Sequence, residues 1–164
     1  MTRVRVIGVG NPEAGDDAAG LLAVRSARAD LEALGVDVVE TGAGLHVVDL
    51  LRDARAVVVV DAVRAPRGGR PPGTIVRAEA GPDGLPAEVG ASLSSHGFGV
   101  AEAVGLVAAL DDAPRVVFLG VEVADVAAGH ELSEPVASSV PDLAARVVAE
   151  ARLLSADEGP LSAH

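Results

Sequence analysis

Short runs of aliphatic residues alternate along the chain with longer segments whose apolar residues recur every three or four positions. The runs predict buried strands, and the helical spacing predicts helices that cover them. The first helix is expected to start at Asp16 or Asp17, to carry an apolar stripe and to stop at Gly35. The stripe consists of Leu21, Val24, Ala27, Leu31 and Leu34. The predicted strands are Arg3–Gly8, Val36–Glu40, Ala56–Val60, Thr74–Glu79 and Arg115–Val121. The other predicted helices are Leu45–Arg52, Gly97–Leu110 and Glu134–Leu154.

This alternation of strands and helices predicts a three-layer α/β/α sandwich around a mostly parallel sheet of about five strands. One connection, residues 62–73, is too rich in proline and glycine to be a helix, so the strand after it is expected to be antiparallel. Pro141 is expected to kink the last helix or to start a second segment. Residues 1–155 are predicted to form a single domain and residues 156–164 a flexible tail.

The composition excludes several classes of function. The formal net charge is −11, which disfavours nucleic acid and anionic membrane surfaces as partners. The chain has no cysteine, so disulfides, thiolate nucleophiles and zinc fingers are excluded. No run approaches the roughly 20 apolar residues that a membrane helix needs, and the N-terminal sequence enters a strand without a signal-peptide pattern. We therefore expect a cytoplasmic protein. No feature fixes the oligomeric state, and a monomer is the default expectation.

Two acidic residues and one histidine lie at three turns where strands are predicted to end. They are Asp17 in GVGNPEAGDD, Asp61 in VVVVDAV and His96 in SSHGFG. Ligands of open α/β sheets bind where the strand-end loops converge, and two carboxylates with one imidazole form a partial metal shell with open positions. Each residue also has an ordinary interpretation. Asp16 or Asp17 can cap the first helix, Asp61 can belong to a turn, and His96 can be a loop histidine.

Other motifs are weaker. Gly8 and Gly10 fit the start of a dinucleotide fingerprint, but its third glycine is replaced by Glu13, and Asp16 and Asp17 would repel a polyphosphate. A nucleotide-binding α/β protein therefore remains only a minor alternative, and we expect no nucleotide cofactor. Neither a GxSxG nucleophile elbow nor an HExxH zinc motif is present. His46, His130 and His164 lack comparable settings.

Five short segments, in this order over about residues 4–150, resemble those of a known family, the maturation endopeptidases of nickel-iron hydrogenases. The segments are Gly8-Val9-Gly10-Asn11 followed by Asp16-Asp17 and Gly20, Val58-Val59-Val60-Asp61-Ala62, Ser95-His96-Gly97-Phe98-Gly99, Gly120-Val121-Glu122, and Leu132-Ser133-x-Pro135-Val136.

The resemblance implies a cytoplasmic endopeptidase, grouped with the aspartyl-type peptidases, whose partner is the hydrogenase large-subunit precursor. Such enzymes activate the hydrogenase by removing a C-terminal extension after nickel insertion. The family's metal-binding residues fall on Asp17, Asp61 and His96, which also become the candidate catalytic residues without individual roles. The resemblance further implies that nickel enters with the substrate. A water activated by the metal or by a carboxylate base would attack the peptide bond.

The chain departs from the family pattern at three places. Asp17 stands where the family can have glutamate. Family members commonly have glycine directly after the acidic pair, whereas here Ala18-Ala19 come before Gly20. The turn after the second strand reads Thr41-Gly42-Ala43-Gly44, where the family often has Gly-Gly-Thr-x-Gly. These departures concern substrate choice and activity more than fold. A non-catalytic metal-sensing or chaperone-like protein for hydrogenase assembly is the alternative from another functional class.

Overall fold

The computed structural model describes residues 3–42, 44–64, 70–89, 99–123 and 131–157. These residues form five strands and four helices of more than one turn, with a short 3₁₀ turn at Gly15–Ala18 before the first helix. In chain order the elements are β1 (Val4–Val9), α1 (Ala19–Ala33), β2 (Asp37–Thr41), α2 (His46–Arg52), β3 (Ala56–Arg64), β4 (Ile75–Glu79), α3 (Val100–Ala108), β5 (Arg115–Val123) and α4 (Glu134–Ala156).

The strands form one sheet in the order β2-β1-β3-β5-β4. All neighbouring pairs are parallel except β4 and β5, which are antiparallel. The prediction of a mostly parallel five-stranded sheet with one antiparallel strand is therefore confirmed. The physical reason agrees with the one expected from the sequence, because only residues 65–74 connect β3 to β4, fewer than the roughly dozen that a parallel crossover needs.

Helices cover both faces of the sheet, and β3, its central strand, is buried from Ala56 to Val63. Val58 and Val60 pack in a core with residues of α1 and α4, whereas Val57 and Val59 pack in a second core with residues of α2 and α3. A strand buried on both faces needs aliphatic side chains at every position, and this explains the uninterrupted run of valines. The predicted three-layer sandwich is confirmed. Among the described residues, none of the helices has both the length and the apolar character that crossing a bilayer requires.

Two elements differ from their predicted form. β3 continues past Asp61 to Arg64, because β5 pairs with it residue by residue up to Val123. The last helix is a single helix through Pro141. Val136 and Leu143, on either side of this proline, are both buried in the same core, so packing holds the two segments together. The predicted start of the helix at Gly97, much of the loop at 62–73 and most of the tail lie outside the described residues.

A close approach between α1 and β3 sets the position of Asp61. A Cβ on Gly20 would lie 2.7 Å from the carbonyl oxygen of Val60 and 3.1 Å from the Cα of Asp61. Only glycine lets the first turn of α1 rest directly on this part of β3.

A second contact ties the first loop to the last helix. Asp16 is buried, and its carboxylate accepts hydrogen bonds from the Ser133 backbone N–H at 2.6 Å and from the Ser133 hydroxyl at 2.8 Å. Ser133 is the residue that precedes α4. The 3₁₀ turn that carries Asp17 is therefore fixed against the start of a helix more than 100 residues later in the chain.

We expect Gly20→Ala to destabilise the protein by about 1–3 kcal/mol, because the added methyl must push α1 away from β3. Gly105→Ala is the matched control, since it is also a helix glycine and its new Cβ would meet no atom within 4 Å. It should stabilise the protein by about 0.5–1 kcal/mol through helix propensity. Urea unfolding of both variants measures the two effects. Equal changes in unfolding free energy would contradict the close approach.

We expect Ser133→Ala to lower the free energy of unfolding by about 1.5–3 kcal/mol, because it removes a hydrogen bond to a buried carboxylate. Ser139→Ala, in the same helix, is the control because its hydroxyl donates to the uncharged carbonyl oxygen of Val136. Its loss should be about 0.5–1.5 kcal/mol. The contact would be unimportant if thermal or urea unfolding gave the two variants the same stability.

Candidate functional site

Asp61 is a buried carboxylate in the middle of the apolar sheet, with only 8% of its surface exposed. Because side chains alternate along a strand, it lies on the same face of β3 as Val59 and Val63, the face covered by α2 and α3. Its Oδ1 accepts a hydrogen bond from the Ala62 backbone N–H at 2.8 Å. Burial raises the pKa of Asp61 well above its ordinary value of 3.8, and the Ala62 hydrogen bond only partly opposes this. Asp61 lies within β3, which continues to Arg64, so the prediction that it stands at a turn where the strand ends was wrong.

Asp17 lies in the 3₁₀ turn and is half-buried. Its Oδ2 accepts a hydrogen bond from the Asn11 backbone N–H at 2.8 Å, which closes the loop after β1. Burial raises the pKa of Asp17, while the Asn11 hydrogen bond and the positive charge of Arg64 act in the opposite direction. Gly10 is necessary for this loop, because any side chain there would collide with the backbone oxygen of Asp17. The glycine that suggested a nucleotide motif thus has a local structural reason.

The structure brings Asp17 and Asp61 together. The 3₁₀ turn that carries Asp17 contacts β3, and the negative charge of Asp17 adds to the raised pKa of Asp61. His96 lies outside the described residues, so the predicted set of three is represented by two. Within the described part of the chain, no group of three or more acidic, histidine or cysteine side chains is placed to hold a metal ion. The assignment of Asp17, Asp61 and His96 as one site stays a prediction.

The expectation that Asp16 or Asp17 caps the first helix was wrong. The residues at the N-cap positions of the 3₁₀ turn and of α1 are Ala14 and Ala18, and neither makes a side-chain capping bond. Asp16 binds Ser133 and Asp17 binds Asn11. Both carboxylates therefore hold the loop after β1 in place. Asp16 connects it to the residue before α4, and Asp17 binds a backbone N–H within the loop itself.

Two charged residues near this site received no role from the sequence. Arg64 ends β3 and is exposed, and its charge acts on Asp17. Glu122 in β5 is fully buried, and Arg70 donates a hydrogen bond to it at 2.6 Å. The signal for Glu122 was present, because it is the one acidic residue inside the apolar strand RVVFLGVEV. The signal for Arg64 was absent, since nothing in the sequence shows that β3 extends that far.

The pair of carboxylates suits a cation. Two nearby acidic groups with raised pKa values hold their protons more firmly than free carboxylic acids, and a divalent ion would replace those protons and remove the repulsion. Carboxylate oxygens together with an imidazole are suitable ligands for a borderline divalent metal, and three protein ligands leave coordination positions for a substrate or water.

The family model HycI, described as hydrogenase maturation protease, matches residues 22–150. No curated protein gives a significant match. Solved structures resemble the whole fold. HycI from Thermococcus kodakarensis KOD1 has 22% identity and a TM-score of 0.69, over 92% of each chain. The hydrogenase maturating endopeptidase HybD from E. coli has 21% identity and a TM-score of 0.69, over 92% of this chain and 93% of that one.

A third structure, the [NiFe] hydrogenase maturation protease HybD from Thermococcus kodakarensis, has 23% identity and a TM-score of 0.64, over 93% of this chain and 99% of that one. These identities establish a common fold. The family match carries the functional conclusion, because it covers most of the chain, including Asp61 and the whole of β3 to β5. The resemblance predicted from the sequence is confirmed: the chain belongs to the hydrogenase maturation protease family and is a protease.

Proposed function

We propose that this protease removes the C-terminal extension of a nickel-iron hydrogenase large-subunit precursor after nickel has been inserted, in the cytoplasm. The observation that carries the proposal is the contact between the 3₁₀ turn of Asp17 and the strand of Asp61, in a chain of this family. The structures of similar fold include proteins named as maturation proteases or endopeptidases of hydrogenases. The comparisons give no support to the non-catalytic alternative.

The position of α3 supports His96 as the third member of the site. The last turn of α3 and the first residues of β5 border a common small cavity, which both Ala108 and Val116 line. The first turn of α3 therefore lies towards the opposite, carboxyl end of the strands, on the face of the sheet that carries Asp61. Gly99, which precedes α3, is only three residues after His96. The proposal therefore includes His96, which is close in sequence to this end of α3, as the third member of the site.

In this proposal nickel belongs to the substrate and is not a resident cofactor. The precursor docks with its nickel against Asp17, Asp61 and His96, and the site contributes only oxygen and nitrogen ligands. A set without thiolate holds nickel less firmly than one with cysteines would, so the enzyme can recognise the metal and release it. Binding of the metal also displaces the protons favoured by the raised pKa values of Asp17 and Asp61.

The nickel dependence of cleavage tests the proposal. Purified protein is incubated with nickel-loaded and nickel-free large-subunit precursor, and the mass of the precursor C-terminus is measured over time. We expect loss of a C-terminal peptide from the loaded form alone, because only that form supplies the cation that brings the carboxylates into a productive arrangement. Cleavage of both forms at the same rate would reject nickel recognition, and binding without cleavage would favour the non-catalytic alternative.

We expect Asp61→Asn to lower the rate of precursor cleavage by about a hundredfold or more, because the amide can neither bind the cation as a carboxylate nor accept a proton from water. His96→Ala should behave in the same way. Asp83→Asn, an exposed turn residue, is the matched control and should cleave at the rate of the parent protein. Normal cleavage by both site variants would show that the site has been assigned to the wrong residues.

The same Asp61→Asn variant should be at least as stable as the parent at neutral pH, because it removes a buried charge and keeps the oxygen that accepts from Ala62. Since the pKa of Asp61 is higher in the folded than in the unfolded protein, its contribution to stability is present below pH 3.8 and is lost as pH rises through the folded pKa. Urea unfolding of the metal-free proteins should therefore show a decrease with pH that is smaller in Asp61→Asn. A parallel pH dependence of the two proteins would contradict the raised pKa.

A further inference from the structure

Arg64 is an exposed arginine at the carboxyl end of the central strand. It is the last residue of β3, and it lies opposite Val123, the last residue of β5. Among the residues that the structure describes, its guanidinium has neither a hydrogen-bond partner nor an ion-pair partner. The fold therefore holds the backbone of Arg64 in place and leaves its charged group available to a molecule outside the chain.

The surroundings of Arg64 in the sequence are basic, in contrast to the rest of the chain. Residues 62–73 include three arginines and no acidic residue, although the formal net charge of the protein is −11. Arg70, in the same segment, is paired with Glu122. Several arginines elsewhere in the described structure are also paired with acidic side chains, namely Arg5, Arg25, Arg28, Arg77 and Arg115. Arg64 thus supplies unpaired positive charge at this end of the sheet.

Arg64 borders the candidate site from the face of the sheet that carries α1. Because side chains alternate along a strand, Arg64 lies on the same face of β3 as Val60 and Ala62, which pack with residues of α1 and α4, whereas Asp61 lies on the opposite face. The 3₁₀ turn that carries Asp17 contacts β3, and the positive charge of Arg64 acts on Asp17. Arg64 and Asp61 therefore lie on either side of the carboxyl end of one strand.

The spacing between Arg64 and Asp61 matches a short piece of extended peptide. Three residues of strand separate their Cα atoms by about 10 Å, which is also the span of three residues of an extended substrate. A substrate segment that crosses this end of β3 with its cut bond at Asp61 has another residue at Arg64. Because Arg64 is exposed, the segment reaches its guanidinium from the surface of the protein.

The charges of the loaded site favour a carboxylate as the partner of Arg64. In the proposed complex, a divalent cation offsets the two negative charges of Asp17 and Asp61, so the positive charge of Arg64 is left without compensation. A guanidinium binds both oxygens of a carboxylate in parallel, which makes this pairing stronger than one with a neutral acceptor. A main-chain carbonyl offers a single uncharged oxygen and leaves the positive charge unbalanced. The group that matches both the charge and the geometry is an acidic side chain.

We propose that Arg64 is a substrate-binding residue that pairs with an acidic side chain of the precursor, about three residues from the bond that is cut. This inference rests on the proposed function, since it takes the cut bond to lie at Asp61. The docked precursor covers the guanidinium and shields the pair from solvent, which strengthens it. Arg64 thus selects a precursor by the charge of its sequence, separately from the recognition of its metal.

The test compares Arg64→Gln with the parent protein on nickel-loaded precursor. We expect KM to rise about five- to tenfold and kcat to change by less than about twofold, because the lost contact contributes equally to the bound substrate and the transition state. Arg64→Lys keeps the charge without the planar fork and should give an intermediate KM. Urea unfolding of Arg64→Gln should match that of the parent, since the exposed side chain makes no bond within the described structure.

Arg146→Gln is the matched control. Arg146 is also an exposed arginine without a hydrogen bond or ion pair in the described part of the chain. It lies in α4, about 18 Å along the helix from Glu134, so it is far from the end that meets the loop of Asp17. The variant should keep both kinetic constants of the parent. An equal KM for Arg64→Gln and Arg146→Gln would overturn the proposal.

Changes in the precursor show whether the contact is direct. Each acidic residue within four positions of the cut bond is changed to its amide, one at a time. At the recognised position the change should raise the KM of the parent and add nothing in Arg64→Gln, whereas at other positions the two effects should add. Arg64→Glu should recover a low KM on a precursor with lysine at the recognised position. Additive effects at every position, or an absence of acidic residues in this range, would overturn the proposal.

A role of Arg64 through Asp17 gives a different result. Arg64→Gln would then lower kcat and displace its pH profile, with no dependence on acidic residues of the precursor, and this outcome also overturns the proposal. Failure of the proposed function is recognised separately, because the parent protein would then cleave neither form of the precursor. In that case, the dissociation constants of the precursor from the parent and from Arg64→Gln, measured by calorimetry, still show whether Arg64 binds it.

Discussion

The burial of carboxylates beside an aliphatic sheet is the main energetic constraint on this structure, because a buried charge loses its hydration. In the described part of the chain, three of the four buried charged residues are acidic, namely Asp16, Asp61 and Glu122. Each solves the problem differently. Asp16 is satisfied by two hydrogen bonds from Ser133, Glu122 by a single one from Arg70, and Asp61 by the next backbone N–H. Among the described residues, Asp16 therefore accepts two hydrogen bonds, whereas Glu122 and Asp61 accept one each.

The rest of the fold tolerates these groups because its two cores are large and continuous. The valines of β3 are buried against helices on both faces, and the helix glycine at position 20 lets α1 rest directly on the strand beside Asp61. A close-packed surrounding limits relaxation, so the carboxylate of Asp61 stays largely shielded from solvent, with 8% of the residue exposed. The rigidity that makes the burial costly also holds the group in position for chemistry.

Local patterns predicted the elements, and long-range contacts decided the details of the site. The valine run predicted β3, but its continuation to Arg64 depends on pairing with β5, a strand that begins 51 residues later. The carboxylate of Asp16 was assigned to its own helix because caps are local, whereas its partner Ser133 is 117 residues away. Glu122 was visible as an acidic residue in an apolar strand, yet its free oxygen follows from the geometry of Arg70. His96 lies outside the described residues and remains a prediction.

The electrostatics of the pair suggest why a protease would wait for its substrate's metal. Without a cation, burial raises the pKa of both Asp17 and Asp61, and the negative charge of Asp17 raises that of Asp61 further. In the proposed function, a metal borne by the precursor would oppose these effects, because its charge would offset the repulsion and favour the ionised carboxylates. Specificity would then arise because the site lacks a metal ion until the nickel-loaded substrate supplies it.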